Sequence, residues 1–259
     1  MRLNLRGKKT IVFIVAVSMA LTAIGVLFFR TDNSQEIAKG RAYLKSLSSQ
    51  DVTRIENQVK AQDAQTNKAA INQKMVQLER DPSKVWPLFK DYVILGDSRA
   101  VDFNLFLDEK YCLAEKNKTI NHIKTKMDQV VSLNPRNIII AYGLNDISIP
   151  RWKNINTYTA DFTQILAALH KKLPHATIYV NSILPVHKYP EANYHRIPDY
   201  NVAIAKMCRS HGYVYINNSA MAAAHSGLYA QDGMHVQSSF YKYWGLNIMK
   251  AIYAQENNV

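Results

Sequence analysis

Three short segments hold residue types that could together carry out acyl chemistry. The first is Gly96-Asp97-Ser98-Arg99. A serine hydroxyl is a poor nucleophile until a base takes its proton, and histidine is the usual base. That histidine needs an acid to fix its tautomer and stabilise the imidazolium. Asp232-Gly233-Met234-His235 supplies both groups three residues apart. The third segment, Tyr142-Gly143-Leu144-Asn145-Asp146, offers a neutral N–H donor in the Asn145 amide, after a glycine that permits a tight turn. Each segment alone also fits an ordinary role: a helix cap, an Asx turn or a surface turn. Arg99, His187 and Tyr189 are candidates for the rim of a substrate cleft, the last two in a loop, residues 184–196, rich in aromatics and histidine. The same loop equally reads as a proline-pinned surface connection. His187, His195 and His225 match no metal-ligand spacing, so neither a metal nor a cofactor is expected.

These segments must be positioned by the elements around them. Short apolar runs alternate with helical patterns from about Trp86 onward. Strands are predicted at Tyr92–Leu95, Tyr111–Ala114, Asn137–Ala141, Thr177–Ser182 and Tyr213–Ile216. Helices are predicted at Arg99–Leu107, Ile120–Val131, Thr157–Lys172, Asp199–His211 and Ser238–Gln255. Continuous apolar strands alternating with helices predict a parallel sheet covered on both faces, with its site at the strand C-termini. Ser98 and Asn145 each follow such a strand, and Asp232 and His235 precede the final helix. A helix starting at Arg99 would add a positive dipole beside Ser98. Cys112 and Cys208 read as two buried thiols.

The segments GDS, GLND and DGMH, in this order and at these places, resemble blocks I, III and V of the SGNH hydrolases, also called the GDSL family. The resemblance covers the chain from about Tyr92 to its end. It implies a flavodoxin-like three-layer α/β/α sandwich with a five-stranded parallel sheet in the order 2-1-3-4-5. It also implies that Ser98 is the nucleophile, His235 the general base and Asp232 its orienting acid. The Ser98 backbone N–H and the Asn145 side chain would be two legs of an oxyanion hole. Asp97, Gly143 and Asp146 would shape the turns behind them. There is one departure. Family members usually carry a glycine after the second strand, whose N–H is the third donor; residues 112–119 here read CLAEKNKT. Asn117 is the nearest substitute, because asparagine tolerates the left-handed conformation better than most residues.

The rest of the sequence suggests where such a domain works. Thr10–Phe29 is a run of 20 uncharged residues, long enough to span a bilayer core of about 30 Å. Four cations precede it, which predicts a cytoplasmic N-terminus and an external remainder. Cleavage as a signal peptide is disfavoured, because the run ends in Val26-Leu27-Phe28-Phe29 rather than in small residues. Residues 31–86 favour helix, with a helix predicted from Asp51 to about Arg80, and read as a stalk before a domain at 87–259. The formal net charge is +12, of which five lie in residues 1–30. The remaining seven are dispersed, without basic clusters interleaved with aromatics, so no nucleic-acid partner is expected. No protein partner is legible. The expected reaction is hydrolysis of a small acyl ester, acetyl foremost, on an external carbohydrate or envelope polymer. Acyl transfer through the same acyl-enzyme and a non-catalytic tethered binding module are the alternatives.

Overall fold

The computed structural model describes residues 16–21, 35–43, 45, 52–188 and 192–256. The chain divides into two compact units, Met1–Thr66 and Asn67–Val259. In the first, residues 16–21 and 35–43 are helical and exposed. The expected membrane span Thr10–Phe29 otherwise lies outside the described residues, among which no helix is long and apolar enough to cross a membrane. Helix α1 (Val52–Arg80) matches the predicted stalk helix. Near its end Leu78 is buried and Met75 packs beside it.

The second unit is a three-layer α/β/α sandwich. Strands β1 (Tyr92–Gly96), β2 (Asn137–Ala141), β3 (Thr177–Asn181) and β4 (Val214–Ile216) form one parallel sheet in that order. Alternate strand residues point to opposite faces. Val93, Leu95, Ile138, Ile140, Ile178 and Val180 meet helices α2 (His122–Leu133), α3 (Ile155–Lys172) and α4 (Ile197–His211). Ile94, Ile139, Tyr179 and Ile216 face the other way, toward α5 (Ser219–Ala224) and α6 (Tyr241–Glu256), whose Trp244, Ile248 and Ile252 are buried there. Both faces are covered, which explains why the strands read as unbroken apolar runs.

Two expectations need correction. The sheet has four strands, not five. The segment expected as the second strand makes a single parallel bridge, Ile94 to Cys112, beside β1. Leu113 N–H donates to Ile94 O (2.7 Å) and Glu115 N–H to Gly96 O (3.1 Å). A 3₁₀ turn at Glu109–Tyr111, capped by Asp108, takes up the start of this segment, and a turn at Lys116–Asn117 takes up its end. Too few extended residues remain between them for a ladder. The helix expected at Arg99–Leu107 is only a 3₁₀ turn, Val101–Leu105. Aromatic contacts hold it in that form: Phe103 packs edge-on against Tyr241, and Phe106 stacks on Trp86. The α-helix dipole expected beside Ser98 from Arg99–Leu107 is therefore not formed. Cys208 is buried as expected, and Cys112 is half-buried.

Candidate active site

The C-terminal edge of the sheet gathers the three motif segments. Ser98 lies in the turn after β1, two residues beyond the strand. Asp97 fixes that turn. Its carboxylate is buried; one oxygen accepts Arg99 N–H (3.0 Å) and the other accepts Leu144 N–H (3.2 Å). One side chain thus ties the turn after β1 to the turn after β2. Burial raises the Asp97 pKa, and the nearby Arg99 guanidinium opposes the rise.

In the turn after β2, Gly143 has φ +133°, and a Cβ there would lie 2.4 Å from Ile183 Cγ1. Only glycine fits both constraints. Asn145 Nδ2 donates to Lys118 O (2.8 Å), which leaves its second amide hydrogen for a ligand. Asp146 is fully buried and accepts Ile120 N–H at 2.9 Å. Its second oxygen has no hydrogen-bond partner among the described residues. Burial pushes its pKa up to about 7. Both residues therefore grip the segment around Asn117, which adopts φ +61°. This is the left-handed region that a glycine would enter without cost.

The last segment forms its own compact turn. Asp232 Oδ1 accepts the N–H groups of Met234 and His235, both at 2.9 Å. Its Oδ2 lies 2.6 Å from His235 Nδ1. Burial works to raise the Asp232 pKa, but the hydrogen bond from His235 and the two N–H groups outweigh it and hold the carboxyl at about 2. With the Nδ1 hydrogen given to Asp232, His235 Nε2 is free to accept, and it lies 3.0 Å from Ser98 Oγ. Gly233, at φ +69°, closes this turn, and its carbonyl accepts His187 N–H (2.7 Å). His187 is thus exposed beside the triad, while Tyr189 lies outside the described residues.

Arg99 is not at a rim. It is 4% exposed, its Nη1 donates to Leu184 O (2.8 Å), and Tyr241 Oη donates to its carbonyl (2.7 Å). Its guanidinium anchors the loop after β3 from below. Spacing gave no hint of this, because a residue following a nucleophile is as readily exposed. Glu115 and His122 carry no motif, and Tyr142 stood in a motif segment without a role. His122 Nδ1 lies 2.7 Å from Tyr142 Oη, and its Nε2 lies 3.3 Å from Glu115 Oε1.

A cavity of about 610 Å³ is lined by Val186, Tyr194, Val202, Tyr215 and Asn217 among others, and it includes none of Ser98, Asp232 and His235. Hydrogen-bond geometry, not cavity size, locates the chemistry. No group of metal-ligating side chains occurs among the described residues. The arrangement of Ser98, His235 and Asp232 can deprotonate a hydroxyl and stabilise the resulting imidazolium.

Comparison with known proteins gives the family and the fold. The sequence model of the GDSL-like Lipase/Acylhydrolase family matches residues 107–242, just over half of the chain. The match spans Asn145, Asp232 and His235 and begins shortly after Ser98. No curated protein matches the chain significantly. Among solved structures, the lipase/acylhydrolase from Enterococcus faecalis aligns with TM-score 0.52 at 15% identity, covering 64% of this chain and 97% of its own. A catalytic mutant of Axe2, an acetylxylan esterase from Geobacillus stearothermophilus, gives 0.51 at 11% identity, covering 62% and 94%. A carbohydrate esterase family 3 protein from Talaromyces cellulolyticus gives 0.50 at 16% identity, covering 65% and 98%. At these identities the likeness concerns the fold.

Proposed function

The chain belongs to the GDSL-like lipase/acylhydrolase family, and from that premise we propose that it is a membrane-anchored serine esterase removing small acyl groups, acetyl foremost, from an extracytoplasmic carbohydrate. The observation that carries the reaction type is the unbroken line from Asp232 through His235 to Ser98, at 2.6 and 3.0 Å. Ser98 Oγ attacks the ester carbonyl while His235 Nε2 takes its proton. Asp232, held ionised, stabilises the imidazolium. His235 then returns the proton to the leaving alcohol, and an acyl group remains on Ser98. In the second half, His235 deprotonates a water, which releases the acid. The carbonyl oxygen gains charge in both halves. The Ser98 N–H, the free hydrogen of Asn145 Nδ2 and the Asn117 N–H are its donors. Asp97, Gly143 and Asp146 keep these donors in register.

Two further points support the substrate and the location. Two of the structural neighbours carry names of esterases acting on acetylxylan or other carbohydrates, and exposed His187 beside the triad, with Tyr189 two residues on, suits sugar contacts. The uncharged run Thr10–Phe29, preceded by four cations, supports an anchor with the domain outside. The test is hydrolysis of p-nitrophenyl acetate and of acetylated xylo-oligosaccharides by the full chain in detergent, beside Ser98→Ala. Free acetate released only by the wild type is the expected result. Acetate moved onto an added glycan would make the protein a transferase. Equal rates in both proteins would refute the serine mechanism.

A further inference from the structure

The turn that carries Asn117 lacks the glycine such a turn ordinarily takes, yet it adopts the glycine conformation, φ +61°. A non-glycine residue persists there when its surroundings over-determine it. Four connections do so here. At the start of the turn, Glu115 N–H donates to Gly96 O (3.1 Å). At its end, Lys118 O accepts from Asn145 Nδ2 (2.8 Å) and Ile120 N–H donates to Asp146 (2.9 Å). The fourth connection is ionic. The Glu115 carboxylate spans the turn to Lys118 Nζ (3.3 Å) and reaches Lys126 Nζ (2.6 Å) and His122 Nε2 (3.3 Å).

We propose that Glu115 and His122 are positioning residues that hold the Asn117 N–H in the oxyanion hole, replacing the conformational freedom of the missing glycine. This rests on the esterase reading above. His122 is the buried end of the brace: its side chain is 3% exposed, and its Nδ1 meets the Tyr142 hydroxyl of the turn after β2 at 2.7 Å. A hydrogen on Nε2 faces the Glu115 carboxylate and leaves Nδ1 to accept from Tyr142. The Nε2 contact lacks hydrogen-bond alignment, and burial lowers the His122 pKa, which favours the neutral ring, so the contact is that of a carboxylate with an N–H dipole and not an ion pair. Glu115 is the exposed end. The hydrogen bond from Lys126 holds its carboxyl at about 2, so it stays ionised across the working range. An isolated surface ion pair contributes little. Here the carboxylate instead meets three partners that bracket one turn, and one of them is buried against the next turn of the site.

The experiment compares the full-length wild type, Glu115→Ala, Asn117→Gly and the double variant. Glu115 is 41% exposed, so its removal leaves the core intact. Two readouts are taken: amide hydrogen exchange over residues 113–121, and kcat and KM on p-nitrophenyl acetate. Glu115→Ala is expected to speed exchange in this segment and to lower kcat about tenfold at unchanged KM, because the donor is displaced only in part. In the Asn117→Gly background, where φ +61° needs no brace, the same change is expected to lower kcat no more than about twofold. Unchanged exchange, a loss confined to KM, or the same kcat loss in both backgrounds would overturn the proposal. A wild type without esterase activity would refute the esterase reading instead, and the exchange data alone would then decide the brace.

Discussion

The two halves of the site are built in opposite ways. The Asp232–His235 turn is local and open: the side chains of Asp232 and His235 are 41% and 43% exposed, and the Asp232 carboxylate is satisfied within the turn, by the Met234 and His235 N–H groups and the His235 ring. The proposed oxyanion half is non-local and anchored by buried carboxylates, although Ser98 and Asn145 are themselves half-buried and Asn117 is exposed. Asp97 and Asp146 are 1% and 0% exposed, and they join turns 47 and 26 residues apart in the chain. In the proposed mechanism this exposure puts the proton-transfer half in contact with water, which deacylation needs. The half proposed to bind developing charge is tied together by buried carboxylates, which would spare its donors reorganisation.

This contrast gives ways to break one half without the other. The largest effect is expected from Ser98→Ala, which should lower kcat roughly 10⁴- to 10⁶-fold while circular dichroism and melting stay unchanged. Asp232→Asn should cost about 10⁴-fold, since the histidine loses its orienting acid, and titration of purified variant with ester substrate measures it. A residual rate close to wild type would mean that Asp232 does not serve His235.

The half anchored by buried carboxylates should answer to pH in its stability. The Asp146 pKa is raised on folding, to about 7, so its contribution is complete below about pH 4 and is lost as pH rises through 7. The loss amounts to roughly 4 kcal/mol at most, from a shift of about three units. Asp146→Asn keeps an acceptor for Ile120 N–H and cannot ionise. Urea unfolding should therefore show the variant gaining on the wild type between pH 4 and pH 8. Parallel pH profiles would contradict this origin of the shift. Asn145→Ala should lower kcat about 10²-fold with KM little changed, the mark of a donor used only in the transition state, and steady-state kinetics separates the two. A rise in KM alone would instead place Asn145 in substrate binding.

The same contrast explains what the sequence made legible. The Asp232 turn could be read directly, because a side chain reaching its own neighbours leaves a fixed spacing. Gly143 was legible because its turn admits no other residue, and the left-handed Asn117 because few residues tolerate that conformation. Most of the sheet followed from uninterrupted apolar runs. What failed depended on partners distant in sequence. Arg99 is drawn inward by Leu184 and Tyr241, and the Arg99–Leu107 helix yields to packing of Phe103 and Phe106 on aromatics of α6 and the segment before β1. The fifth strand is cut short by turns on both sides of Cys112, one of them capped by Asp108. Glu115 and His122 carry no motif; they meet only because the turn after β1's bridge lies against α2.

The most direct test of the triad is labelling of the folded full chain with a fluorophosphonate probe, followed by peptide mass spectrometry. A single adduct on Ser98, abolished in His235→Ala, is the expected result. Absence of an adduct on Ser98 in folded protein, or labelling that persists undiminished without His235, would contradict it.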